Sequence, residues 1–290
     1  MPELPEVETV VRTLKPHILG RTVLNVRTFG TSFLASGSRP LDTLCQASVT
    51  DVSRRGKYIV VHLLKCCTSL CLVAHLRMTG RLMAYERPQT SSPDFPDSFL
   101  DKHSRGLFLL GDRKDSTASC ALVFHDVRKF GRLFAGTEED LALWPSWTKL
   151  GPEPLEMGEE AFVQAMKGKR AIKKVLLDQT RLAGVGNIYT DESLFAAGIH
   201  PSSIADSVPP EKLRLLYREL CRILLLSIDE CGSSIRDYQD ADGNVGAFQN
   251  YFAVYGRKGE PCKNCGKPLE RTEIGGRGTV FCRHCQRLFD

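Results

Sequence analysis

Residues 262–285 read CKNCGKPLERTEIGGRGTVFCRHC. Two Cys-x2-Cys pairs, Cys262/Cys265 and Cys282/Cys285, are separated by sixteen residues, a length that suits a two-stranded ribbon closed by the turn Gly275-Gly276-Arg277-Gly278. Four thiolates at this spacing make a tetrahedral zinc site. With four protein ligands and no open position, one structural zinc is expected. An arginine flanked by glycines can approach a phosphate closely, because no neighbouring side chain blocks the backbone. Such a loop would suit any nucleic-acid-binding ribbon.

Around this ribbon the charge is uneven. Residues 256–290 hold eight Lys/Arg against four Asp/Glu, so the tail carries +4 of the chain's +5, and an anionic partner at this end is expected. The whole chain of 290 residues, 42% hydrophobic and 25% charged, has enough apolar content for one large core or two ordinary ones. It has no run of about 18 apolar residues, and its start, Met1-Pro2-Glu3-Leu4-Pro5-Glu6, lacks the features of a secretory signal. A place inside the cell, with no membrane partner, is therefore expected. The remaining cysteines, Cys45, Cys66, Cys67, Cys71, Cys120, Cys221 and Cys231, lack paired spacing and read as small core hydrophobes in a reducing compartment.

Upstream, Pro5 suits a first helical position, and Val7, Val10, Val11 and Leu14 repeat at helical spacing, with Pro16 and Gly20 as the expected stop. From Thr22 to Ala135 short β-rich runs follow (Val23–Val26, Tyr58–Leu63, Leu70–His75, Leu107–Leu110, Ala121–Phe124, Arg132–Phe134), which predicts a β-sandwich or barrel. The polar stretches Glu86–Arg105 and Gly111–Ser119 read as mobile loops. Residues 159–235 have helical periodicity. The expected organisation is multidomain α+β: a β-rich domain over 1–136, a linker over 137–158 around Trp144 and Trp147, a helical domain over 159–253, and the ribbon over 254–290.

Six ordered motifs carry a resemblance. They are Pro2-Glu3-Leu4-Pro5-Glu6-Val7-Glu8-Thr9; Arg54-Arg55-Gly56-Lys57-Tyr58; His75-Leu76-Arg77-Met78-Thr79-Gly80; Asp126-Val127-Arg128-Lys129-Phe130-Gly131; Leu182-Ala183-Gly184-Val185-Gly186-Asn187-Ile188-Tyr189; and Val254-Tyr255-Gly256-Arg257 leading into the ribbon. Together they resemble the formamidopyrimidine-DNA glycosylase family of bacterial 8-oxoguanine repair enzymes. The resemblance implies an N-terminal β-sandwich with a leading helix, a helical helix–two-turn–helix domain and a C-terminal zinc ribbon. It also implies a bacterial, cytoplasmic, nucleoid-associated monomer that clamps damaged double-stranded DNA between its domains.

The implied chemistry is excision of oxidised purines followed by β,δ-elimination. Removal of Met1 would expose the secondary amine of Pro2, whose attack on the sugar C1′ expels the base and leaves an iminium, an electron sink for strand cleavage. By resemblance Glu3 is the general acid/base, Glu6 supports the site or holds a water, Lys57 assists β-elimination, and Arg277 assists δ-elimination and grips a phosphate. Met78, Arg128 and Phe130 match the side chains that fill the gap left by the extruded base. By composition alone, Met78 and Phe130 would be core residues. Asn187, on a helix N-terminus after two glycines, suits a phosphate, and His75, His103, Lys169 and Tyr255 match further DNA contacts. Residues Tyr238–Gln249 resemble a base-capping loop. The region 86–119 is longer than the family usually shows.

Two other readings compete. An endonuclease VIII-like enzyme for oxidised pyrimidines would share Pro2, Glu3 and the ribbon, but the longer N-terminal match and the Met78/Arg128/Phe130 set favour the purine enzyme. A non-catalytic zinc-ribbon DNA-binding protein would not need Pro2 followed by Glu3.

Overall fold

A computed structural model describes residues 1–87, 95–112, 117–234 and 238–290. The chain divides into two compact units, Met1–Thr148 with Cys231–Gly246, and Lys149–Glu230 with Ala247–Asp290.

The first unit opens with helix α1 (Leu4–Ile18), whose Val7, Val10, Val11, Leu14 and Ile18 form its buried stripe. Pro16 does not stop the helix as expected but lies inside its last turn. So close to the end, the proline forfeits a single backbone bond, and the helix closes on Leu19, whose N–H donates to the Lys15 carbonyl at 3.0 Å.

Eight antiparallel strands follow: β1 (Thr22–Thr28), β2 (Ser48–Arg55), β3 (Tyr58–Lys65), β4 (Thr68–His75), β5 (Gly80–Glu86), β6 (Ser104–Gly111), β7 (Ala118–Asp126) and β8 (Arg132–Gly136). Their order is β5-β7-β6-β1-β2-β3-β4-β8. The β1–β2 pairing is limited to Thr22 opposite Ser48. There the sheet divides into two four-stranded layers. Ile59, Val61, Leu63 and Leu72 of one layer join Leu82, Phe108, Leu122 and Phe124 of the other in one core, which makes the predicted sandwich. The sequence reading found six of these strands. It missed β2, whose polar residues interrupt the pattern, and β5, whose apolar run Leu82–Tyr85 is short and does not alternate.

After the sandwich, α2 (Glu138–Leu141) and α3 (Pro145–Thr148) bring the two tryptophans onto it. Trp144 stacks on Phe134 with ring centres 5.8 Å apart, and both Trp144 and Trp147 meet Tyr58 edge-on. In the polar region before β6, Asp97–Phe99 forms a short 3-10 helix. Residues 88–94 and 113–116 of the two expected loops lie outside the described residues.

The second unit contains α4 (Glu159–Ala165), α5 (Ile172–Leu176), α6 (Asn187–Ala197), α7 (Pro210–Asp229) and the hairpin of β9 (Glu270–Ile274) and β10 (Arg277–Phe281). Helix α7 is amphipathic, burying Leu213, Leu216, Leu220, Ile223 and Leu224. Helix α6 is buried on nearly every side, including polar Thr190, Asp191, Glu192 and Ser193, so its carboxylates require partners inside the unit. No helix of the described residues is long and apolar enough to cross a membrane.

The cysteine expectation needs correction. Cys71 and Cys120 are core residues, but Cys66, Cys67 and Cys231 are exposed. Cys66 and Cys67 form the two-residue turn between Lys65 and Thr68, which pair directly, so the topology of the hairpin overrides their apolar preference. Burial pushes the Cys71 and Cys120 thiols up to about 12.

Candidate active site and nucleic-acid interface

Helix α1 presents Pro2, Glu3 and Glu6 at its start. Pro2 is buried, as are Glu3 and Glu6 at 4% and 2% exposure, while Met1 ahead of them is 47% exposed. Glu3 and Glu6 form a capping box in which the Glu3 N–H donates to Glu6 Oε2 at 2.8 Å. The other Glu6 oxygen accepts from the Ser233 N–H at 2.8 Å and from Ser233 Oγ at 3.0 Å. The Tyr238 hydroxyl donates to the Glu6 carbonyl at 3.1 Å. Glu6 therefore holds the Cys231–Gly246 segment against the helix start. That segment runs on along α1 as a strap. Ala241 N–H donates to Thr13 Oγ1 at 3.1 Å, the Ala84 N–H to the Ala241 carbonyl at 3.1 Å, and His17 meets Asp242 at 2.7 Å. Residues 235–237 of the expected base-capping region lie outside the described residues.

Lys57 lies with Gly56 in the two-residue β2–β3 turn between the paired Arg55 and Tyr58, and is 6% exposed. The turn is tied to α1 by Arg54, whose Nε donates to Glu8 Oε2 at 3.1 Å while its Nη1 donates to the Gly56 carbonyl at 3.0 Å. This places the lysine's turn beside the helix that carries Glu3. His75, at the end of β4 opposite Tyr58, is 6% exposed. Burial, with the positive charges of Arg77 and Lys57, lowers its pKa to about 3. Its Nδ1 accepts the Arg77 N–H at 3.0 Å, which leaves the proton of the neutral ring on Nε2.

Met78, Arg128 and Phe130 lie on two loops of the sandwich. They are exposed, Met78 by 42% and Phe130 by 48%, against the core placement that composition favours. The structure brings them together: Arg128 Nη1 lies 3.2 Å from Met78 Sδ, and the guanidinium sits 4.7 Å from the Phe130 ring centre. His103, half-buried, precedes β6, and its N–H donates to Asp101 Oδ1 at 2.8 Å.

In the second unit Gly275 and Gly276, both at positive φ, form the β9–β10 turn, with exposed Arg277 directly opposite Ile274. Asn187 begins α6, and its amide donates to the Gly278 carbonyl at 2.9 Å, so its side chain braces the Arg277 hairpin. Lys169 is exposed in the turn before α5. Tyr255 is half-buried, and its N–H, with those of Ala253 and Val254, is held by the Glu192 carboxylate at 2.8–3.0 Å.

The four sulfurs of Cys262, Cys265, Cys282 and Cys285 all lie within 4.8 Å of one another, with Cys262–Cys285 at 3.9 Å and Cys265–Cys282 at 3.6 Å. A tetrahedron of thiolates about 2.3 Å from a zinc has edges of about 3.8 Å, so the site fits that metal.

Sequence reasoning missed several positioning residues. Buried Lys173 and Asp191 form a 2.6 Å ion pair, and Asp191 accepts the Val280 N–H at 3.2 Å while Lys173 reaches the Gly278 carbonyl at 3.4 Å. Arg54, Ser233 and Asp126 were also missed. A buried polar contact between distant segments leaves no periodic signal.

The sequence patterns of the formamidopyrimidine-DNA glycosylase N-terminal and H2TH domains match residues 1–133 and 150–239. That of a zinc finger found in FPG and IleRS matches residues 259–288. The formamidopyrimidine-DNA glycosylase of Desulfitobacterium hafniense is 42% identical over 294 residues, covering 99% of this chain and 100% of the relative. That of Geobacillus kaustophilus is 40% identical over 293 residues, with the same coverage. Among solved structures, the MutM (Fpg) protein of Thermus thermophilus superposes with a TM-score of 0.82 at 39% identity, covering 98% of both chains. The Lactococcus lactis Fpg in complex with DNA containing an abasic site superposes with a TM-score of 0.83 at 33% identity, covering 98% of this chain and 99% of that one.

Proposed function

The chain belongs to the formamidopyrimidine-DNA glycosylase family, and from that premise we propose how its residues divide the work of a base-excision DNA glycosylase/AP lyase acting on oxidised purines. With Met1 removed, the secondary amine of Pro2, whose pKa is about 8 in an unperturbed α-amino group, attacks C1′ of the damaged nucleotide. The N–C1′ bond forms, the bond to the base breaks, and the base leaves with that electron pair and takes up the proton given up by the Pro2 nitrogen, which regains a lone pair. Glu3 delivers a proton to the ring oxygen O4′, the C1′–O4′ bond opens, and the nitrogen lone pair completes an iminium. That cation acidifies C2′. Loss of the C2′ proton expels the 3′ phosphate, and a second elimination expels the 5′ phosphate, with Lys57 and Arg277 as the cations that bind these groups.

Glu6 is assigned a positioning role because its carboxylate is committed to Glu3 and Ser233. His75, His103, Lys169, Asn187 and Tyr255 are assigned to DNA phosphates or to holding the groups that contact them, and Met78, Arg128 and Phe130 to the gap left by the extruded base. Cys262, Cys265, Cys282 and Cys285 would hold the zinc, whose part is to keep the Arg277 hairpin folded. The protein acts as a monomer on double-stranded DNA in the bacterial cytoplasm.

One observation carries the reading: a buried Pro2-Glu3 start, behind an exposed Met1, on a chain that matches the family along its length. Borohydride trapping on a duplex with 8-oxoguanine opposite cytosine, followed by peptide mapping, tests it. The expected adduct is on Pro2, with excision suppressed in Glu3→Gln. An adduct on Lys57, or none, would overturn it.

A further inference from the structure

The two loops that carry Met78, Arg128 and Phe130 meet on one buried carboxylate. Asp126, at the end of β7, is 0% exposed. Its Oδ1 accepts from Thr79 Oγ1 at 2.6 Å and from the Arg128 N–H at 3.2 Å, and its Oδ2 accepts from the Gly131 N–H at 2.6 Å. Thr79 Oγ1 accepts from the same Arg128 N–H at 3.1 Å, which closes a triangle of Thr79, Asp126 and Arg128. A third segment joins through the backbone of Asp126. Its carbonyl accepts from Arg105 Nε at 3.2 Å and Nη2 at 3.1 Å, and its N–H donates to the His103 carbonyl at 2.9 Å.

The loops need such a tether. Arg77 and Lys129 sit at φ of +54° and +59°, a region disfavoured for side chains with a Cβ and held only when the surroundings fix it. At Gly131 a Cβ would stand 2.6 Å from the Phe124 ring and 3.0 Å from Asp126 Oδ2, so the chain must approach the carboxylate without a side chain. Within a water-poor pocket, an ionised acceptor holds several donors more strongly than a neutral one. An amide could not replace it, because asparagine offers one acceptor oxygen and turns its NH2 toward a group that itself donates.

We infer that Asp126 and Thr79 are positioning residues for orphan-base recognition: they lock the Met78 loop to the Arg128–Phe130 loop and thereby fix where the Arg128 side chain enters the duplex. The inference rests on the wedge assignment made above. A loop free to move would still fill space with Met78 or Phe130. Arg128, in contrast, must present its donors in register with one particular base, so losing the tether erodes discrimination before it erodes excision.

The test measures excision of 8-oxoguanine opposite cytosine and opposite adenine by Thr79→Val, Thr79→Ser and Asp126→Asn, each alone and combined with Arg128→Ala. Thr79→Val keeps the shape and removes the hydroxyl, and serves where Asp126→Asn fails to fold. The expected result is a loss of cytosine-over-adenine preference on the order of tenfold in Thr79→Val and Asp126→Asn. Thr79→Ser restores it, and no further loss follows once Arg128 is alanine. Retention of preference in Thr79→Val, or losses that multiply with that of Arg128→Ala, would overturn the inference alone. An Arg128→Ala enzyme with unchanged preference would sink the wedge assignment, and the inference with it.

Discussion

Arg128 and Arg277 are both exposed cations on short turns, yet the two units hold them by different physics. In the first unit the loops of Arg128 hang from a sandwich with a large apolar core, so a few hydrogen bonds to one buried carboxylate suffice to shape them. In the second unit the Arg277 hairpin has little core of its own. Four of the five residues of β9 are exposed, and the cluster beneath it is largely Phe195, Val254, Leu269, Val280 and two of the cysteines. Below a certain core size, burial of apolar surface cannot offset the entropy of ordering the chain. There the four-thiolate site and the Lys173–Asp191 pair take over. The ribbon is thus the part of the molecule whose order depends on discrete chemical links.

The largest effect that would break this comparison is loss of the metal. Structural zinc contributes on the order of 10–16 kcal/mol to folding of small zinc domains, far more than any single contact in the sandwich. Pure protein is expected to contain one zinc per chain. A strong chelator, or Cys282→Ser, should unfold residues 254–290 and abolish duplex binding while the sandwich keeps its thermal transition. Elemental analysis, limited proteolysis and titration with duplex DNA check this. Zinc-free protein that binds normally would refute it.

Next in size is the ion pair beneath the hairpin. Burial already raises the Asp191 carboxyl to about 6 beside Lys173, so Lys173→Met leaves it buried without its cation and obliged to take up a proton or stay charged, which costs about 3–5 kcal/mol. Replacing both partners by apolar residues of similar volume should recover most of that loss. Hydrogen exchange of the β9–β10 amides reads the effect locally: protection of the hairpin should fall in the single variant and return in the double, except at the Val280 N–H, whose acceptor is Asp191 itself. Equal losses in both variants would show that the pair does more than fill the space.

The same contrast explains what was legible in the sequence. Helix α1 declared itself because Val7, Val10, Val11 and Leu14 repeat every third or fourth residue, and the zinc site because Cys-x2-Cys spacing is set by metal geometry. Both are local codes. The strap Cys231–Gly246 was not legible as part of the first unit, since its bonds to Glu6 join positions 227 residues apart. Asp126 was read as the start of a motif and not as its anchor, because a buried carboxylate looks the same in sequence as a solvated one. Met78 and Phe130 drew an apolar, core-like reading from composition, whereas their loops hold them at the surface. Pro16 failed as a stop for a local reason: its cost depends on how many helical residues remain after it.

Smaller still are the effects of removing the two arginines themselves. On the role proposed for it, Arg277→Ala removes a phosphate cation, so binding should weaken on damaged and undamaged duplexes alike, with the log–log salt slope falling by about 0.9. Arg128→Ala should spare the salt slope and lower the preference for cytosine opposite the lesion by roughly 1–3 kcal/mol. Titrations at several salt concentrations separate the two. A lower salt slope with intact base preference in Arg128→Ala would make it a second phosphate clamp.

The smallest expected effect sharpens the comparison by asking how weak a tether in the first unit can be and still register. His17 bridges two elements, with Nδ1 3.0 Å from Glu86 Oε1 and Nε2 2.7 Å from Asp242 Oδ1, while Arg21 forks onto Glu86 at 2.9 Å. A ring that donates from both nitrogens is an imidazolium. Burial alone would lower its pKa, but the hydrogen bonds and charges of Glu86 and Asp242 outweigh it and raise the value above 6.5. A raised folded-state pKa means the stabilisation is fully present below pH 6.5, the unfolded value, and is lost as pH rises through the folded one. The site is open to solvent, so its worth is at most about 1 kcal/mol and falls with salt. His75 acts in the opposite sense: its folded value near 3 makes the unit lose stability as pH falls below 6.5. The two are separated by difference. Wild type minus His17→Gln, measured by thermal unfolding at pH 5.5 and 8.5, should show a gap at the lower pH that closes at the higher, whereas wild type minus His75→Gln should shift the other way. A His17→Gln gap that is the same at both pH values would mean that the ring tethers the strap by packing, with its charge contributing nothing.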